Sequence, residues 1–110
     1  METQFVPVSD VNTLDHLFTR SHQTPVVLFK HSTTCPISRA AYQQMSELEG
    51  EVALVVVQTA REVSRDIATR TGIRHESPQA MVLRDGKVVW SASHWDVTAE
   101  AVKQAMSSHV

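Results

Sequence analysis

Cys35 is the only cysteine of the 110-residue chain, within Lys30-His31-Ser32-Thr33-Thr34-Cys35-Pro36-Ile37-Ser38. An apolar run precedes this segment and a helical pattern follows it. The thiol therefore falls at a strand-to-helix turn, where free backbone N–H groups and the positive end of the helix dipole favour a thiolate. With Cys35 as N-cap, Pro36 occupies the first helical position, where its missing N–H costs nothing and its fixed φ suits the helix. The amides of Ile37 and Ser38 then point toward the sulfur, and the Ser38 hydroxyl is a further donor. This arrangement predicts a thiol that reacts as the thiolate. A second thiol at position 38 would complete a Cys-x-x-Cys pair, but serine stands there. Redox chemistry at Cys35 must take its second sulfur from another molecule. The structural alternative is a small buried hydrophobe, the commonest role of a free cysteine. The Ser, Thr and Pro neighbours at a loop-to-helix junction favour the reactive thiol.

Pro78, in Arg74-His75-Glu76-Ser77-Pro78, is the second position of interest. A base rate of about 5–6% for cis X–Pro bonds favours a trans proline opening a strand. In a thioredoxin-like arrangement it would instead be cis and face the thiol, with the Ser77 backbone N–H and C=O offered to an extended substrate as in strand addition. His31 or His75 could stabilise the thiolate or move a proton if near the sulfur. No second cysteine or histidine cluster supports a metal site, and none is expected.

The elements that must position these residues are legible as periodicities. Phe5-Val6-Pro7-Val8 reads as a short edge strand, where proline is tolerated. Ser9 or Asp10 can cap a helix with Val11, Leu14, Leu17 and Phe18 on one face. Val26-Val27-Leu28-Phe29 is apolar on both faces, as a central parallel strand requires. Ile37, Ala41, Met45 and Leu48 predict a helix from the cysteine, with Gly50 as its stop. Val52-Ala53-Leu54-Val55-Val56-Val57 is a second buried strand. A helix carrying Val63, Ile67 and Ala68 ends at Gly72. Met81-Val82-Leu83 and Val88-Val89-Trp90 flank Asp85-Gly86, a two-residue hairpin signal. Thr98 caps a last helix over residues 98–107, with Val97 and Val102 spaced as a hydrophobic staple. Strand–helix–strand units joined right-handedly, then a hairpin, predict an α/β thioredoxin-like fold: a central mixed β-sheet flanked by helices on both faces. Cys35 then lies at the C-terminal end of a central strand, where α/β ligands bind.

The length suits one thioredoxin-like domain over residues 1–110, with a core that needs no disulfide or structural metal. Net charge is -2 and the ten Lys and Arg residues are scattered, so no footprint for nucleic acid is expected. No apolar stretch is long enough to span a bilayer, and the first residues lack the basic and apolar regions of a signal peptide. No membrane partner is expected, and the expected location is cytoplasmic.

Thr34-Cys35-Pro36-Ile37-Ser38, preceded by Leu28-Phe29-Lys30-His31-Ser32-Thr33 and followed by His75-Glu76-Ser77-Pro78-Gln79, closely resembles the monothiol bacilliredoxins. The likeness extends over nearly the whole chain. Thioredoxins usually carry Trp before Cys-Gly-Pro-Cys, and iron–sulfur monothiol glutaredoxins carry Cys-Gly-Phe-Ser, so both patterns differ here. The resemblance implies removal of bacillithiol from bacillithiolated client proteins, with Cys35 as the catalytic nucleophile. Pro36, Ile37 and Ser38 are the expected thiolate-stabilising residues, and Thr34, Ser77 and Pro78 the expected substrate-binding ones. No tightly bound cofactor is implied. Bacillithiol, a low-molecular-weight thiol, is the co-substrate, and a flavoprotein bacillithiol disulfide reductase would recycle its oxidised form. Two other readings stay open: a non-catalytic redox sensor or adaptor, and a glutaredoxin-like iron–sulfur carrier.

Overall fold

Val26, Val27, Leu28, Phe29 and Lys30 are all buried, and they make up most of strand β2 (Val26–His31) at the centre of a five-stranded sheet. The computed structural model describes residues 2–110. On one side β2 pairs in parallel with β3 (Gly50–Val56), which pairs in parallel with the edge strand β1 (Thr3–Pro7). On the other side it pairs antiparallel with β4 (Gln79–Arg84), and β4 pairs antiparallel with β5 (Lys87–Ser93). The sheet order is β1-β3-β2-β4-β5. This is the mixed, thioredoxin-like sheet that the sequence pattern predicts.

The alternation of a strand divides the core into two layers. Val26 and Leu28 pack with Leu14 and Leu17 of α1 (Val11–Arg20) and with Val63 and Ile67 of α3 (Arg61–Thr71). Val27 and Phe29 pack with Ala41 and Met45 of α2 (Pro36–Met45) and with Val102 and Ala105 of α4 (Ala99–Ser108). Burying each large side chain contributes about 1.5–3 kcal/mol, so β2 is clamped from both faces and its C-terminal end is a rigid platform. Lys30 continues the Val26–Leu28 face and is as fully buried as the leucine.

Local chemistry sets the element ends. Asp10 caps α1 by accepting the Thr13 N–H at 2.8 Å, and Thr98 caps α4 by accepting the Ala101 N–H at 3.2 Å. Gly72 ends α3 at φ 72°, a left-handed conformation that favours glycine. Asp85 and Gly86, at φ 56° and 78°, turn the β4–β5 hairpin in the geometry that Asp-Gly favours. The helix after Cys35 is shorter than its apolar spacing predicts. It stops at Met45, and bonds from Glu47 N–H to Gln44 O and from Leu48 N–H to Met45 O tighten the next turn. Leu48 is still buried, and Gly50 opens β3 instead of closing a helix. No helix among the described residues is long and apolar enough to cross a membrane.

Candidate active site

The chain leaves β2 at His31, turns through Ser32, Thr33 and Thr34, and enters α2 at Pro36. Cys35 is the N-cap, with extended backbone at φ -103° and ψ 124° and a partly exposed side chain. Pro36 opens the helix as expected. The Cys35 carbonyl accepts the Arg39 N–H at 3.0 Å, and its thiol makes no capping hydrogen bond. Ile37 and Ser38 follow at the second and third helical positions, whose N–H groups have no partner within the helix. Ser38 is completely buried, and its hydroxyl accepts the Ser32 N–H at 3.2 Å. It therefore ties the start of the turn to the helix that ends it.

Gln58, just after β3, holds the same turn from the other side. Its Nε2 donates to Ser32 Oγ at 2.9 Å and to Thr34 Oγ1 at 3.3 Å, and its Oε1 accepts the Thr33 N–H at 3.3 Å. One amide thus engages all three residues between β2 and the cysteine. Nothing local in the sequence marks this glutamine as a clamp on a segment 26 to 24 positions earlier.

The β2–β4 register pairs Lys30 with Gln79, so the next residues along, His31 and Pro78, lie side by side at the same end of the sheet. The Ser77–Pro78 peptide is cis, which the base rate alone did not favour and the thioredoxin-like arrangement did. The Pro78 carbonyl accepts the His94 N–H at 2.9 Å. That bond brings the short helical turn His94–Asp96, with Trp95 at 69% exposure, next to the proline. Ser77 Oγ is buried without a hydrogen-bond partner among the described residues.

Lys30 is the second feature that sequence reasoning missed. Its Nζ donates to Gln79 Oε1 at 3.1 Å, and Gln79 Nε2 donates to the Arg74 carbonyl at 3.1 Å. This relay fixes both ends of the segment that carries Ser77 and Pro78. Burial pushes the Lys30 ammonium down from the ordinary 10.5 to about 8, against the opposing pull of the Glu76 carboxylate.

Two histidines border the site. His31 lies beside Phe29 and Tyr42 with its ring tilted to both and centroids 5.6 and 5.0 Å away. Burial holds its pKa below the ordinary value, partly opposed by the nearby Ser38 backbone, and its Nδ1 is buried without a hydrogen bond of ordinary geometry. His75 Nδ1 lies 3.2 Å from Ser64 Oγ. Burial lowers its pKa, the Lys30 charge lowers it further, and Glu76 opposes both. Both imidazoles are therefore favoured as neutral rings at pH 7.

The assembled site offers one accessible sulfur at a helix start, a turn held by Ser38 and Gln58, and a proline-led strand alongside. Such a thiol can attack a disulfide and carry a mixed disulfide. The sequence model of the family described as monothiol bacilliredoxin BrxC matches residues 6–102. A solved structure described as having a thioredoxin fold is 31% identical, with 92% of each chain covered and a TM-score of 0.85. Thioredoxin from Fasciola hepatica is 17% identical over 94% of this chain and 98% of its own, with a TM-score of 0.73. Thioredoxin from Nicotiana alata is 14% identical over 99% and 95%, with a TM-score of 0.74. These last two likenesses concern the fold.

Proposed function

The chain belongs to the monothiol bacilliredoxin family, a group of thioredoxin-like thiol–disulfide oxidoreductases, and on that premise we propose that it removes bacillithiol from S-bacillithiolated client proteins. The observation that carries the reading is Ser38. It occupies the place of a resolving cysteine and Cys35 is the only thiol of the chain, so an adduct on Cys35 must wait for an external thiol.

In the first step the Cys35 thiolate attacks the bacillithiol sulfur of the client mixed disulfide. A new S–S bond joins Cys35 to bacillithiol, the old S–S bond breaks, and the client cysteine leaves as thiolate to take a proton from solvent. In the second step the thiolate of a free bacillithiol attacks the bacillithiol sulfur of the adduct. Oxidised bacillithiol forms and Cys35 leaves as thiolate. Over the cycle one free bacillithiol thiol is oxidised, the bacillithiol sulfur taken from the client stays at the disulfide level, and one client sulfur is reduced to its thiol. A flavoprotein bacillithiol disulfide reductase would recycle the disulfide, and no tightly bound cofactor is needed.

The residues around the sulfur have distinct parts in this scheme. Pro36 starts the helix without wasting a donor. The resting thiol makes no capping hydrogen bond, and the free Ile37 and Ser38 amides at the helix start are the donors that a thiolate forming or leaving there would recruit. Thr34 and Ser77 contact the incoming mixed disulfide, with Pro78 setting the position of the Ser77 backbone beside it. Bacillithiol as reductant places the reaction in the cytoplasm. A bacillithiolated client mixed with catalytic amounts of protein tests the proposal. Many clients should be restored per molecule in the presence of bacillithiol. A single stoichiometric transfer with no acceleration would instead identify a sensor.

A further inference from the structure

The active-site turn continues into a cleft of about 770 Å³ between the turn and α3. Ser32 and Thr34 line it from the turn, His75 from the loop before β4, and Arg61 and Arg65 from α3. The two arginines are four residues apart on the first turns of an 11-residue helix, so they share one face. Among the described residues neither has an ion-pair partner, whereas Arg20 and Arg84 each have one and Arg70 has two. No Asp or Glu lines the cleft. The cleft therefore gathers two guanidinium groups that have no ion-pair partner among the described residues, and it begins at Thr34, the residue before Cys35.

We propose that this cleft binds the malyl carboxylates of bacillithiol while its sulfur engages Cys35. The inference rests on the function proposed above and specifies which residues recognise the co-substrate. A guanidinium presents paired donors that match a carboxylate, and such charge-assisted bonds are roughly twice as strong as neutral ones. A malyl group carries two carboxylates, and the cleft offers two guanidiniums. Since the site is open, the attraction is screened by salt.

Thiol exchange at Cys35 measured without a client protein tests this. Cys35 is first converted to its mixed disulfide with 2-thiopyridine, a neutral chromophore. Incoming bacillithiol thiolate attacks Cys35 Sγ, forms the Cys35–bacillithiol disulfide and expels thiopyridone, whose absorbance gives the rate. The comparison thiol is the cysteinyl-glucosamine fragment of bacillithiol, which has the same sulfur and sugar without the malyl group. In R61Q/R65Q the bacillithiol rate should fall about tenfold, and the fragment rate should change less than about twofold. R61K/R65K should recover part of the loss, and added salt should erode the wild-type preference for bacillithiol. Equal changes for the two thiols, or no change for either, would overturn the proposal. If the wild type restores clients catalytically and R61Q/R65Q is unaltered, only the cleft assignment fails. If the arginines select bacillithiol but no client is restored, the function fails and the cleft assignment stands.

Discussion

Gln58 Nε2 donates to Ser32 Oγ at 2.9 Å, joining the turn after β3 to the turn that carries the thiol. The Ser38 hydroxyl holds the same residue by accepting the Ser32 backbone N–H. The cysteine is therefore presented by a loop fixed at two points, one on each neighbouring element. Preorganisation of this kind speeds a reaction by holding the nucleophile in a reactive geometry.

Gln58→Leu removes three hydrogen bonds from a partly exposed turn. Solvent replaces most of them, so the stability loss should be small, about 1 kcal/mol. The rate at which Cys35 captures bacillithiol should fall severalfold because the turn samples other geometries. Stopped mixing followed by mass spectrometry measures that rate. An unchanged rate would show that the clamp has no part in presenting the thiol.

Ser38 separates a structural contribution from a chemical one. Ser38→Ala leaves the part-buried Ser32 N–H unpaired and should cost about 1–3 kcal/mol in denaturant unfolding. Ser38→Cys supplies a resolving thiol three residues beyond Cys35. On oxidation it should lose two hydrogens through an internal disulfide, and the Cys35 adduct should become short-lived. An adduct that persists in Ser38→Cys would contradict the assignment of position 38 as the missing resolving site.

Lys30 gives a pH signature of opposite sign to that of a stabilising ion pair. Its folded pKa, about 8, lies below the ordinary 10.5, so the unfolded chain holds the proton more tightly. The penalty for burying the ammonium is complete below pH 8 and is relieved as pH rises toward 10.5. The relief is on the order of 3 kcal/mol. Wild-type unfolding free energy minus that of Lys30→Met should therefore rise between pH 8 and 10. A flat difference would mean that Nζ is well solvated.

His31 and His75 act on the acid side. Both have folded pKa values below the ordinary 6.5, so the unfolded state binds protons first as pH falls. Stability should decline below about pH 6.5, and His75→Gln should reduce the decline. Denaturant midpoints at pH 7 and pH 5 for the two proteins provide the check. An equal decline in both would remove His75 from this account.

Much of the scaffold was legible because periodicity reports burial. The double-faced apolar run of β2, the alternating strands and the Asp-Gly hairpin all carry their geometry locally. Cys35 as N-cap was legible from the apolar run before it, the helical spacing after it and Pro36 at the first helical position. The end of α2 was not, since Leu48 keeps a helical spacing yet reaches the core from a tight turn. Lys30 was missed because a charged residue ordinarily ends an apolar strand, and its partner Gln79 is 49 positions away. Gln58 and the arginine cleft were missed for the same reason. Their meaning depends on α3 and the cysteine turn meeting across the sheet's C-terminal edge, which no local pattern encodes.

The most direct test of the central claim is mass spectrometry of Cys35 during reaction with a bacillithiolated client. Wild-type protein should acquire one bacillithiol on Cys35 as the client is released, and added bacillithiol should discharge it through repeated turnovers. Client restored at the same rate by Cys35→Ser, with no adduct on the wild type, would contradict the account.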